Sequence, residues 1–506
     1  SAAVDHSSSR VLKTLIFCQT TVNANSTAEH TRERLGKNAI QLSTEENQLF
    51  DLALKEVGSE DCLYIEISPK KEVTSSALPH HARLLPAERH LHESLYRRKD
   101  GIHVLAATST LAQGMNLPSQ IVLIAGDSRF DAANNQLERL QAHELLNAAG
   151  RAGRAGESSY GFVLVIPSKV VFFDDSVGLI HEHWTSLKEI FSQSDQCLAI
   201  EDPLAPILDS IHSHEENHVA ADYLLRRLPV GESDEETETK SRAILARTFN
   251  AYLKGLSGDQ SWLESRVTAA IAAKKELADP DEDSDWANVL AAKFGIQAST
   301  LRSLEAHLQL PPSDTSVNGW TRWLFDWLKS EPRAFIEMTR QEGLETLFGS
   351  KFTALTTLEA RGEFAIPRLL QLLEAWMAGN TFTSMEKVFN ASLTKLNKCE
   401  NSRDFVLRVL PDIAYIASLP ELVRRASEAI DESWLTLERL SGCVRDGVDT
   451  LEKLALYQII GRSGARIATH ETWDACEFWT AAAEPDEDWK TLRHRVKEGW
   501  NTWKTP

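Results

Sequence analysis

The sequence predicts an α/β domain followed by mainly α-helical domains, and three observations carry that expectation. Short apolar, β-branched runs recur between helix-compatible stretches at residues 11–18, 102–105, 121–124 and 161–166, the pattern of strands buried in a parallel sheet. From Val170 onward Leu, Ala and Trp recur at helical spacing instead. The chain has 506 residues, too many for a single core, so three or four domains are expected. Two acidic runs, residues 231–239 and 279–285, each hold five acids and no base, and such runs mark solvated linkers. The predicted division is a doubly wound parallel-sheet domain over residues 1–168, a helical or winged-helix-like module over 169–235, a helical domain over 240–380 and a C-terminal helical domain over 381–506.

Each element follows from local pattern. Residues 11–18 (VLKTLIFC) read as a buried strand entered from a Ser-rich lead, with a helix-compatible run at 26–35 and a helix at 47–57. Residues 63–67 read as a second short strand. Residues 102–105 and 121–124 flank a loop of Thr, Gly, Asn and Pro, as expected of a functional loop at a strand end. A further loop and a short polar helix lead to 144–156 (ELLNAAGRAGRAG), and 161–166 (GFVLVI) is the last strand. Apolar spacing over 199–228 predicts a helical module. Trp320, Trp323 and Trp327 fall at i, i+3 and i+7, a stripe read as helix core before it is read as a stacking surface. Residues 369–377 stop at Gly379-Asn380, a helix end signal.

Lys and Arg number 54 against 73 Asp and Glu, for a net charge of −19. A uniformly acidic surface repels phosphates, so any nucleic-acid surface must be local. Residues 80–101 supply one candidate, with five Arg/Lys against three acids. The histidines there (His80, His81, His90, His92, His103) and the group His212, His214, His218, Glu215, Glu216 read as a groove lining and a polar helix end rather than metal sites. Six scattered cysteines without CxxC spacing argue for a reducing compartment. No apolar run approaches the roughly 18 residues that span a bilayer, and the expected location is cytoplasmic. Arg151 and Arg154 stand three apart among Gly150, Gly153 and Gly156. Small residues let the backbone approach a ligand, and two guanidinium groups there can grip phosphate oxygens bidentately.

Residues 108–118 (TSTLAQGMNLP) and 147–154 (NAAGRAGR) resemble motifs V and VI of superfamily-two DExH-box helicases, nearest to the superkiller-like group. The resemblance covers about the first third of the chain and implies that residues 1–168 are a second RecA-like motor domain. It makes residues 11–20 motif IV, with Gln19 or Thr20 facing nucleic acid, and residues 80–101 motif IVa and its helix, with His81, Arg83 and Arg89 beside the strand. Thr108 and Thr110 would hold the sugar-phosphate backbone. Gly114 and Asn116 would couple strand to nucleotide, with Asn147 and Gly150 at the nucleotide cleft and Arg151 and Arg154 as arginine fingers. Asn147 stands where the family usually has Gln. A ratchet helix is implied within residues 403–425, and the helical remainder looks similar to bacterial defence helicases of the Hachiman type. No GxxxxGK[ST] or DExH occurs; Gly36-Lys37-Asn38 lacks both the first Gly and the Ser/Thr. The expected function is the C-terminal half of an ATP-dependent helicase, inactive without a P-loop/DExH half that also brings the Mg2+ ligands. Its expected partners are single-stranded DNA or RNA, that other half, and a nuclease or other defence effector; no membrane is implied. The alternative is a non-catalytic nucleic-acid-binding scaffold or clamp.

Overall fold

The computed structural model of the protein describes residues 4–5, 10–35, 39–108, 119–126, 128–131, 136–139, 142–152, 161–166, 185, 188, 202, 204–213, 221, 224–225, 227–229, 233–277, 286–389, 398–427, 434–461, 466–476 and 487–504. Its contacts divide into two units.

The first unit comprises Ser1–Leu198, Gly379–Leu407 and Ile460–Ala475. Five strands, β1 (Thr14–Cys18), β2 (Ala77–His80), β3 (Val104–Ala107), β4 (Ile121–Ala125) and β5 (Phe162–Ile166), form one sheet in the order β5-β4-β1-β3-β2. Every neighbouring pair is parallel, so each connection must cross over, and helices supply most of the crossovers. The sheet is the α/β core that the alternating apolar runs predict. Strand β1 is central: Leu15 pairs in register with Leu105 on one side and Val122 on the other, and Leu15 to Cys18 are buried.

Helices α1 (Thr21–Leu35) and α2 (Thr44–Val57) join β1 to β2, α3 (Pro86–Arg97) joins β2 to β3, and α4 (Ala142–Ala149) lies between β4 and β5. Their ends follow from local chemistry. Ser43 caps α2 and Glu46 reaches back to the Ser43 amide, a reciprocal capping box, while Gly58 closes the helix at φ 87°, where a glycine meets no Cβ penalty. Pro86 opens α3 at a position whose amide has no helical partner.

Two predicted elements differ. Residues 63–67 form no strand: Leu63, Tyr64 and Ile65 are buried, but the Tyr64 amide donates to Glu88 Oε1 at 3.3 Å and pairing is limited to a bridge between Ile67 and Val73. The sheet strand comes later, at Ala77–His80. The polar helix expected after residue 126 is instead an antiparallel pair, Ser128–Asp131 with Gln136–Arg139.

Residues 379–407 and 460–475 belong to this unit although they are distant in sequence from the sheet. Arg466 holds them in place, donating to Glu56 Oε1 at 2.8 Å and to the Asn380 carbonyl at 2.7 Å. Gly379 is required here, with φ 77° and a position where an added Cβ would lie 2.7 Å from the His470 ring.

The second unit (Ala199–Ala378, Arg408–Ile459, Cys476–Pro506) holds helices and no strand among its described residues. One apolar cluster joins Leu208, Ile211 and Leu225 to Trp262, Val267 and Ile271. In another region Trp320, Trp323 and Trp327 of Val317–Ser330 are all buried, so the stripe is core, as its spacing predicts. The indole nitrogens are mostly satisfied: Trp323 donates to the Leu310 carbonyl at 2.9 Å and Trp327 to Ser303 Oγ at 3.2 Å. No helix among the described residues is long and apolar enough to cross a membrane.

Candidate functional site

In a parallel sheet all carboxyl ends lie along one edge, where loops can converge on a ligand. Four of the candidate residues follow strands directly on that edge: Gln19 and Thr20 after β1, His81 after β2, and Thr108 after β3. Gln19 Nε2 donates to the Gly126 carbonyl at 3.0 Å, linking the ends of β1 and β4. Thr20 Oγ1 accepts the Asn23 amide at 3.1 Å and caps the first turn of α1. Thr108 is buried, and its amide donates to the His80 carbonyl at 3.1 Å. Of these, Thr20 is exposed and Gln19 partly so.

His81 is fully buried. Its Nε2 donates to Asn25 Oδ1 of α1 at 2.9 Å, and its ring lies edge-on to Tyr64 at 4.7 Å. Arg83 turns to carboxylates: Nε and Nη2 bond Asp404 at 3.1 and 2.8 Å, and Nη1 pairs with Glu400 at 3.0 Å. Arg89 donates to the Leu84 carbonyl at 3.5 Å. Arg98 pairs with Glu46 and Asp100. Two of the five cations of the stretch 80–101, Arg83 and Arg98, are thus matched by acids from other segments, which the linear charge count could not reveal.

Behind the edge lies a buried cluster that sequence reasoning did not find. Arg403 places its guanidinium on both oxygens of Glu88, on the Arg83 carbonyl (3.0 Å), the Cys62 carbonyl (3.2 Å) and the Lys398 carbonyl (2.7 Å), and stacks 4.9 Å from the Tyr64 ring centroid. Arg403 and Glu88 are both fully buried. Burial alone would raise the Glu88 carboxyl, but the Arg403 charge and hydrogen bonds outweigh it and hold the group below its ordinary value. The stretch 403–425, where Pro411 and Pro420 interrupt the helical pattern, is divided accordingly: a π-helical turn Phe405–Val409 leads from Arg403 into Leu410–Ile416, and Leu419–Ser427 follows.

The same region stores two neutral histidines. Burial, with repulsion between the two rings, pushes His81 down to about 3, and burial pushes His92 down to about 4. His92 Nδ1 donates to the Pro79 carbonyl at 2.7 Å, while His81 Nδ1 and His92 Nε2 are buried without a partner among the described residues. In the unfolded chain both rings titrate near 6.5. Below that pH the unfolded state takes up protons that the fold refuses, so stability should fall as pH drops from about 6.5 towards 4, by up to about 1.4 kcal/mol per pH unit per ring. Urea unfolding of the wild type and of His81→Asn/His92→Asn at pH 7 and pH 5 tests this; equal pH sensitivity in the two would refute it.

The second resemblance motif lies elsewhere. Asn147 is exposed on α4, Gly150 is an exposed turn residue, and Arg151 is buried at the helix end, its amide donating to the Ala148 carbonyl at 3.2 Å. Ala152 makes a parallel bridge with Ser119, whose hydroxyl bonds Tyr96 Oη at 2.9 Å. Ser119 precedes β4, so Arg151 sits towards the amino end of that strand, next to the residue bridged to Ser119. Thr110, Gly114, Asn116 and Arg154 lie outside the described residues.

No protein-family model matches the chain. The chain is similar to several curated helicases. It is 32% identical over 108 residues to the RQC trigger complex helicase SLH1 of Saccharomyces cerevisiae, covering 21% of this chain and 5% of that protein. Against the antiviral helicase SKI2 of the same yeast it is 42% identical over 87 residues, 17% of this chain and 6% of that protein. With the ATP-dependent DNA helicase Hel308 of Thermoplasma acidophilum it shares 29% identity over 155 residues, 30% of this chain and 20% of that protein. The chain therefore spans a minor part of each relative's own length.

Proposed function

We propose that residues 1–168 act as the second RecA-like half of an ATP-dependent translocase on single-stranded DNA or RNA, completed by a P-loop/DExH segment outside these 506 residues. The observation that carries this reading is the isolated Ser119–Ala152 bridge, which sets the residue following the motif V-like stretch beside the motif VI-like stretch, next to a five-stranded parallel sheet. Similarity to the helicases SLH1, SKI2 and Hel308 supports it. On this reading Gln19, Thr20, Thr108 and Thr110 hold the sugar-phosphate backbone without reading bases, and Gly114, Asn116, Asn147 and Gly150 adjoin the nucleotide. Arg151 and Arg154 aim positive charge at the transferring γ-phosphoryl. A nearly buried guanidinium at a Gly-flanked turn suits a triphosphate; Mg2+, when bound, would neutralise phosphate charge from ligands on the P-loop half. Arg83, held by Asp404 and Glu400, shapes the edge, and His81 and Arg89 lie beside the bound strand.

The pure chain is expected to hydrolyse no ATP with or without oligonucleotide, and to gain strand-stimulated hydrolysis when a polypeptide carrying the P-loop and DExH motifs is added. Hydrolysis by the chain alone, in a preparation free of such a polypeptide, would defeat the split-motor reading. Persistent inactivity in the reassembled complex with retained strand binding would favour a nucleic-acid clamp. A nuclease or other defence effector remains part of the proposal as a partner of the assembled motor.

A further inference from the structure

The acidic chain ends its described residues in a helix of opposite character. Trp489–Lys504 (WKTLRHRVKEGWNTWK) carries five Arg/Lys against one Glu, a net +4 in a chain of net −19. Leu492 and Val496 are buried and fix which face of the helix points inward. Away from them, Lys490, Arg493, Lys497, Trp500 and Lys504 follow one another at steps of three, four, three and four residues, a single stripe along the helix. All but Trp500 are exposed, and Trp500 is half-buried.

Two features separate this stripe from an ordinary solvated face. Among the described residues its cations form no salt bridge. Lys490, Arg493, Lys497 and Lys504 make no ion pair among the described residues, whereas Arg495, off the stripe, pairs with Glu487 at 2.8 Å and Glu452 at 3.5 Å. The helix also ends in a stacked pair of indoles, Trp500 on the stripe and Trp503 beside it. The Trp500 and Trp503 rings lie 5.3 Å apart at 27°, Trp503 is 42% exposed, and Lys504 Nζ sits 5.9 Å from the Trp500 ring centroid. Large exposed aromatics cost solvation free energy that a stacking ligand recovers.

We infer that this helix is a second contact for single-stranded nucleic acid, in which Lys490, Arg493 and Lys497 follow successive phosphates and the Trp500–Trp503 stack receives an unpaired base. Cations three and four residues apart on a helix stand about 5–6 Å from one another, a spacing comparable to that of phosphates along an extended strand. Duplex DNA offers no open base face to the indoles, so the rings select the single strand, and stacking is tolerant of base identity. The inference stands on this helix's own charges and rings and needs no ATP.

The test uses the full chain without nucleotide, with photo-crosslinkable oligo-U and oligo-dT of about twenty nucleotides. Crosslinks mapped by peptide mass spectrometry are expected within residues 489–504. In anisotropy titrations K490E/R493E/K497E should weaken binding at least tenfold and reduce the salt slope by about two, since each lost single-strand phosphate contact removes about 0.7. Trp500→Ala/Trp503→Ala should weaken oligonucleotide binding about fivefold or more at unchanged salt slope, while leaving competition by inorganic polyphosphate unaltered. Circular dichroism and thermal unfolding report whether the variants fold; Trp503→Ala alone, at the exposed end, serves where the double variant does not. Crosslinks confined to other residues, or unchanged affinity in both variants, would overturn the inference. So would indole variants that leave oligonucleotide binding intact, or tighter binding to anionic phospholipid vesicles than to oligonucleotide that the charge variants abolish, since these describe an unspecific polyanion surface and a membrane-facing one.

Discussion

Replacing Arg403 by methionine is expected to lower the stability of the parallel-sheet unit by about 3–5 kcal/mol. The side chain is fully buried and its five N–H groups all have acceptors: two on Glu88 and one each on the carbonyls of Arg83, Cys62 and Lys398. Methionine fills much of the volume but leaves the Glu88 carboxylate buried and unpaired, and an uncompensated buried charge costs far more than the pair itself is worth. Lysine should rescue little, because an ammonium cannot serve the planar fork. The double variant Arg403→Met/Glu88→Gln should recover part of the loss, since it removes the stranded charge. Glu88 also sets a pH signature. Its carboxyl is held below the ordinary value in the fold, so it stabilises above the unfolded value and that contribution is lost as pH falls through the folded one. Urea unfolding of the three variants is the measurement; a loss below about 1 kcal/mol for Arg403→Met would show that the pair is not the anchor of the docked segment 398–407.

Arg151→Lys and Arg154→Lys, assayed in the motor reassembled with its P-loop half, are expected to lower strand-stimulated ATP turnover by about a thousandfold or more. Strand affinity should be nearly intact. A finger acts on charge that develops in the transition state, so its loss appears in kcat rather than in ground-state binding. Lysine keeps the charge and loses the bidentate geometry, which separates a positioned fork from a general positive field. Arg151 is buried, so unfolding curves must accompany its kinetics; matched stability with lost turnover is the expected pair of results. Near-normal turnover in both variants would mark the Gly-Arg segment as an ordinary turn.

The sequence by itself determined the elements whose signals are local. Unbroken apolar runs such as 14–18 and 121–125 have few ways to be buried except inside a parallel sheet, and the Trp320, Trp323, Trp327 stripe names the inner face of its helix because the helical period is short-range geometry. Pairing across hundreds of residues has no such signature. Nothing near Glu88 announces Arg403, nothing near Glu56 announces Arg466, and the net +2 of residues 80–101 looks like an open binding surface until Asp404, Glu400 and Glu46 arrive to match it. The strand at Ala77–His80 in place of residues 63–67 has the same cause, since both stretches are apolar enough and the competition is decided by which backbone finds the sheet. In the helix Trp489–Lys504, composition shows the charge, but only the fold shows which cations form no salt bridge among the described residues and which indole stays exposed. Charge along a chain is local, whereas the field a ligand meets is the sum over whatever folding brings alongside.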